Sequence, residues 1–506
     1  MLEQKQGWRE PYERAMDWVF GTARHRPIPV DEPEQPTETR EAIRTPLATP
    51  ATTRSTAFLD GLRGIAALFV LIQHYIGTFD ENVHEHGFGE NGNYYFAGLP
   101  FVRIAFSGGS AAVAVFFVLS GYVLSVSPLR LVRDGKHDAA VLNLFSAVIR
   151  RPFRLYIPTL GVTLAVAILM HAPFGLMAEV LWPPPQESLL AELGHWVSES
   201  VKFFNPFRTH GSNQAWYPYS LVVWTIPIEL KGSMLIYVLT AIYALSDLSL
   251  RASLCLLAVS VFTLLQLGYW TMACFISGLI LAMLDVDSMD TTFLSRHLTL
   301  RAQAALRLLA FVVGYYLLCQ PAHAGSPEYS LGTPGWKHLT MLTPRAYDKD
   351  QYYRYWHSWG ALFLVYSALR LSFVQTFLNT RPLRYLGKVS FMLYLVHLPI
   401  LAMLGGRVSR MVGVTYPDTA PSWWNNRLWI PKFGPAGPDS RFVASMAIIL
   451  PICLVVADFG TRTLDMPSVK VGKKVAQKLG LDKGVGHGSR EPDLPRQTMN
   501  LPLQER

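Results

Sequence analysis

The chain of 506 residues is 50% hydrophobic and only 16% charged, with a formal net charge of +9 and a mean hydropathy of +0.22. A water-soluble fold of that length needs far more charge to cover its surface, so these values exclude one and point to an all-α polytopic integral membrane protein. The basic excess does not call for nucleic acid, because it lies largely in loops and in the C-terminal tail, where membrane topology accounts for it.

Residues 1–56 are rich in Pro, Thr, Glu and Arg and carry no secretory signal. They are expected to form a flexible cytoplasmic tail, with the first apolar helix acting as its own insertion signal. Runs of the length a bilayer requires lie near 62–79, 108–127, 153–171, 221–246, 250–269, 270–286, 303–320, 356–374, 388–406 and 441–461, which predicts about ten transmembrane helices within a domain over 57–467. Residues 468–506, with GKKVAQK as their charged core, are expected to be a second flexible, basic, cytoplasmic tail. All four cysteines fall in the apolar runs without paired or metal spacing, so neither a disulfide nor a metal site is implied.

The first run, FLDGLRGIAALFVLIQHY, holds Arg63 at one end and His74 eleven positions later. At about 1.5 Å per residue, His74 then stands roughly 16 Å above the boundary that Arg63 marks. The loop between the second and third runs carries Arg130, Arg133, Lys136, Arg150, Arg151 and Arg154, whereas DENVHEHGFGENGNYYF before the second run has no Lys or Arg. The basic loop should therefore face the cytoplasm, and an even number of spans returns both termini to that side. Glu229, in LVVWTIPIELKGSMLIY, enters from the opposite face and reaches roughly 12 Å down, so an acid and a base share one depth in a core about 30 Å thick. Each could be an interhelical hydrogen-bonding contact, but two buried ionisable groups at one level favour a site.

In RRPFRLYIP, Arg151 and Arg154 stand three apart at the cytoplasmic mouth of the third run, with Pro152 in a helix's first turn. They can serve as positive-inside anchors, as Arg63 can by snorkelling, or they can clamp one anion. A basic mouth beneath a buried base suits a long anionic ligand whose charged end stays in the cytosol, which is the shape of coenzyme A.

Taken in order, Arg63 to His74, FFVLSGYVLS at 116–125, Arg151-x-x-Arg154, WTIPIE at 224–229, GKVSFMLYLVH at 387–397 and a closing DMP at 465–467 make the sequence resemble the membrane acyltransferase 3 family, fungal members above all. The resemblance implies an O-acyltransferase that moves an acyl group, usually acetyl, from acyl-CoA to a hydroxyl of a carbohydrate or secondary metabolite. In that reading His74 is the general base and Glu229 either holds the imidazolium or orients the acceptor. Arg63, Arg151, Arg154, Ser120, Ser390, Tyr394 and His397 would line the donor site. Ser390, Tyr394 and His397 recur at helical spacing on one face. Gly121 reads as a packing residue and Trp224 as an interface aromatic. A proton-coupled transporter would also own a buried His and Glu, but no pair of similar, Gly/Pro-broken halves is present. A non-catalytic membrane receptor or scaffold would not need the Arg-x-x-Arg at the mouth.

Overall fold

The computed structural model describes residues 56–80, 82–172, 184–205, 217–322, 327–347, 351–415 and 421–481. Both expected tails therefore lie mostly outside the described residues. Among the described residues there is no strand.

A helix stands at each of the ten apolar runs. They are α1 (Ala57–Ile76), α2 (Gly109–Arg133), α3 (His137–Leu169), α5 (Thr225–Leu245), α6 (Leu250–Gln266), α7 (Trp270–Val286), α9 (Leu300–Leu318), α10 (Arg354–Ala368), α12 (Arg381–Ile400) and α14 (Ser440–Gly460). Between them lie α4 (Leu189–Phe204), α8 (Met289–His297), α11 (Ser372–Leu378) and α13 (Gly406–Met411), and α15 (Met466–Lys478) closes the bundle. Among the described residues seven spans are long and apolar enough to cross a membrane, or nine if each of two bent pairs counts as one, while Leu250–Gln266 is shorter. The chain thus has the helices of a multi-pass membrane protein, with two breaks at bent helix pairs.

The bends are at α7–α8, through 67°, and α10–α11, through 95°. One guanidinium ties them together. Arg370 donates to Asp285 at 2.7 Å and through both Nε and Nη2 to Asp290 at 2.9 Å, while the Tyr122 hydroxyl donates to Asp285 at 2.8 Å. A charge-assisted bidentate pair of this kind fixes geometry as well as adding energy.

Small residues let the central helices touch backbone to backbone. A Cβ on Gly64 would lie 2.6 Å from the Gly387 nitrogen, and one on Gly387 would lie 2.2 Å from the Asp60 carbonyl oxygen, so α1 and α12 allow nothing larger. Gly121 and Gly278 do the same for α2 and α7, where a Cβ on Gly121 would lie 2.0 Å from the Phe275 carbonyl oxygen. This is the close approach by which helices associate when lipid removes the hydrophobic drive.

The basic segment after Met466, expected as a loose tail, instead continues as α15. After a π turn at Thr461–Asp465, the small residues Ser468, Gly472 and Ala476 recur every fourth position and are buried, and a Cβ on Gly472 would lie 3.2 Å from the Arg150 carbonyl oxygen of α3. The lysines occupy the remaining face, which is why the segment reads as solvated tail. On the other side of the bundle, Glu192 of α4 is buried and accepts from Tyr219 at 2.5 Å, the Gln186 amide at 2.7 Å and His171 at 3.2 Å. Burial pushes this carboxyl up, but the three hydrogen bonds outweigh it and hold the group below its ordinary value.

Candidate active site

Two spaces open along α1, α3 and α12. The inner one, a chamber of about 150 Å³, is lined by Arg63, Ser120, Arg151, Arg154, Glu229 and Tyr394, with Ser390, Thr225, Phe116 and Leu155 among the remaining walls. The outer one, a vestibule of about 650 Å³, is lined by Asp60, Arg63, Arg154, Arg381, Arg384, Tyr385 and Lys388. Arg63 and Arg154 border both, so they stand where the vestibule narrows into the chamber.

Glu229 reaches the chamber because of how α5 begins. Leu221–Trp224 form a 3-10 turn, and Pro227 falls in the first turn of α5, where its missing N–H has no partner to lose. The Glu229 carboxylate accepts from Arg151 and from the Ser120 hydroxyl, which link α5 to α3 and α2. Arg151 also donates to Ser120 at 3.0 Å and through Nε to Ser233 at 2.9 Å, and Ser233 itself bonds back to the Glu229 carbonyl at 2.6 Å. Arg151 and Glu229 are both mostly buried. The acid is thus committed to a guanidinium, and among the described residues no hydrogen bond joins it to His74.

His74 stands two residues before the end of α1 and is exposed. Its neighbour is His397, with 5.4 Å between ring centroids and a 33° tilt. His397 is fully buried. Its Nδ1 lies 3.2 Å from the Leu393 carbonyl, to which it donates, leaving Nε2 as an acceptor with no partner among the described residues. One turn earlier, Tyr394 is 5.8 Å from His397 and forms part of the chamber wall. The Tyr394 hydroxyl donates to the Val222 carbonyl at 2.6 Å and accepts from Thr225 at 3.0 Å, pinning α12 to the start of α5. Ser390 bonds back to Gly387 at 2.8 Å within its own helix.

The residues named from sequence therefore form two connected groups. Arg63, Ser120, Arg151, Arg154, Glu229, Ser390 and Tyr394 share the chamber; His74 and His397 pair just beyond it, reached through Tyr394. Both arginines line the chamber; Arg151 is paired with Glu229, while Arg154 also borders the vestibule. The vestibule residues Arg381, Arg384 and Lys388 and the orienting Ser233 went unread in the sequence. A signal existed for two of them: RPLR at 381–384 repeats the pattern of RPFR at 151–154. No group of three His, Cys, Asp or Glu side chains able to hold a metal occurs among the described residues.

Over residues 56–458 the chain matches the family described as the acyltransferase 3 domain. It is 29% identical over 459 residues to the O-acetyltransferase PaAT-1 of Phomopsis amygdali, covering 84% of this chain and 85% of that one. It is 24% identical to acyltransferase clz18 of Cochliobolus lunatus, over 69% of this chain and 83% of the other, and 25% identical to acyltransferase R4 of a Phoma species, over 72% and 86%. No solved structure matches the chain.

Proposed function

Since the chain belongs to the acyltransferase 3 family and is an acyltransferase, we propose that it moves a short acyl group, acetyl foremost, from acyl-CoA to a hydroxyl of a carbohydrate or secondary metabolite. The observation that carries this reading is the joining of a basic vestibule to a narrow chamber at Arg63 and Arg154. Phosphates would rest among the cations of the vestibule while the thin pantetheine arm passes inward. A chamber of about 150 Å³ suits a two-carbon acyl group better than a long chain. The relative named as an O-acetyltransferase points the same way.

In this reading the acceptor hydroxyl gives its proton to the neutral His74 ring as its oxygen attacks the thioester carbonyl carbon. The carbon–sulfur bond then breaks, and the leaving thiolate takes the proton back from the imidazolium, yielding ester and free thiol. His397, with Nε2 unpartnered and its tautomer set by Leu393, offers a second acceptor that steadies the His74 ring or its proton. Arg151, locked by Glu229, Ser120 and Ser233, keeps a rigid positive charge in the chamber wall, where negative charge on the thioester oxygen would develop. Enclosure also keeps water from the thioester. The basic vestibule faces the cytosol in this arrangement, as do both termini.

The test is to incubate purified full-length protein with radiolabelled acetyl-CoA and extracts of its own organism, and to identify what acquires the label. Label retained by acetyl-CoA across all extracts, with protein shown to be folded, would sink the proposal.

A further inference from the structure

We infer that Arg381 and Arg384 recognise the 3′-phosphate of coenzyme A, so that the vestibule selects a donor carrying that phosphate monoester over its dephosphorylated counterpart. This rests on the donor reading above.

Five cations and one acid line the vestibule: Arg63, Arg154, Arg381, Arg384 and Lys388 against Asp60. Two of the five are engaged, Arg63 with Asp60 at 3.7 Å and Lys388 with Asp458 at 3.6 Å. Arg154, Arg381 and Arg384 have no carboxylate at salt-bridge distance among the described residues, and all three are exposed to the space. Position divides them. Arg63 and Arg154 also border the chamber, whereas Arg381 and Arg384 border the vestibule alone. A pantetheine arm extended into the chamber sets the pyrophosphate at the inner pair, which leaves the ribose and its 3′-phosphate beside the outer pair.

The chemistry of the outer pair fits a monoester. Arg381 and Arg384 are three apart on the first turn of α12, with Pro382 between them, so both guanidinium groups project from one face of a helix whose N-terminal end favours anions. A phosphate monoester carries about −1.5 to −2 charge near neutral pH, more than either phosphate of a pyrophosphate diester, and two planar forks match it better than one. Tyr385, 41% exposed in the same wall, offers an aromatic face to the adenine.

Full-length protein in phosphatidylcholine nanodiscs is titrated with acetyl-CoA, 3′-dephospho-acetyl-CoA and acetyl-pantetheine, for the parent and the Arg381→Gln, Arg384→Gln double variant, with melting as the check on folding. The parent should bind acetyl-CoA about tenfold or more tighter than the dephospho form, the worth of one charge-assisted hydrogen bond. In the double variant that ratio should collapse towards unity. If the double variant does not fold, Arg381→Lys, Arg384→Lys carries the same comparison and should retain only part of the ratio. Equal affinity of the parent for both nucleotides overturns the inference and leaves the donor reading standing. So does a double variant that weakens both donors by one factor, which would mark a general basic mouth. Variant-dependent binding of nanodiscs containing phosphatidic acid, with no donor preference, would assign the pair to a lipid phosphate and overturn it too. A parent that binds none of the three donors ends both readings.

Discussion

Arg151 and Glu229 form a mostly buried ion pair across α3 and α5, reinforced by Ser120 and Ser233. Removing one partner leaves the other charge stranded in a low-dielectric wall. Arg151→Gln should therefore destabilise the protein by about 3 kcal/mol or more, and adding Glu229→Gln should recover part of that loss. Arg154→Gln, which breaks no such pair, should melt like the parent and weaken donor binding instead, increasingly so at low salt. Thermal melting and donor titration of the three variants and the parent check this; equal stability of Arg151→Gln and Arg154→Gln would contradict it.

His74→Ala should lower acyl transfer about a hundredfold or more while leaving donor affinity nearly intact, because a general base acts in the transition state. His74→Gln should not restore the rate. If a well-folded His74→Gln protein transfers acyl groups at close to the parent rate, His74 is an interhelical contact and another base must be sought.

The Glu192 cluster should make stability fall in acid. Its carboxyl is held below the ordinary 4.5 in the folded state by Tyr219, the Gln186 amide and His171. The stabilisation is fully present above that ordinary value and is lost as pH falls through the lower folded value. Melting temperature measured from pH 7 down to about 3 should drop at the acidic end, and Glu192→Gln should start lower at neutral pH with a shallower acidic fall. Parallel curves for the two proteins would show that the cluster does not titrate on unfolding.

Orientation can be read with single cysteines in a background lacking Cys255, Cys274, Cys319 and Cys453, which are free thiols. Tyr94, 71% exposed, suits the far-side loop, and Lys136 suits the basic loop. The two should label from opposite sides of sealed vesicles. Labelling from one side would reverse the assignment of the vestibule to the cytosol.

The ten helix positions were legible because each depends on the length of a local apolar run. The gathering of Ser120, Arg151, Glu229 and Tyr394 in one chamber was legible only as a set of motifs. Which acid meets which base was not: it depends on how α3 and α5 are rotated about their own axes, which no spacing within either helix encodes. The bends were hidden for a different reason. The break between α7 and α8 turns at Ser288, whose φ is +51°, and the one between α10 and α11 at Leu369–Leu371, and neither is marked by glycine or proline. Arg370 with Asp285 and Asp290 holds both, a long-range match that charge patterning along one segment cannot reveal. The α15 helix was masked by its lysines, although Ser468, Gly472 and Ala476 already spelled a contact face.

The contact between Gly64 and Gly387 leaves α1 and α12 no room to slide or rotate on each other. These two helices carry His74, His397 and the outer arginines, so one tightly packed wall holds all of them. Whatever shifts to admit an acceptor must be carried by the opposite wall, α3 with α4 and the start of α5. Acceptor range can accordingly diverge, or be engineered, at the positions of that wall other than Arg151, Arg154 and Glu229, with the histidine pair and donor mouth kept.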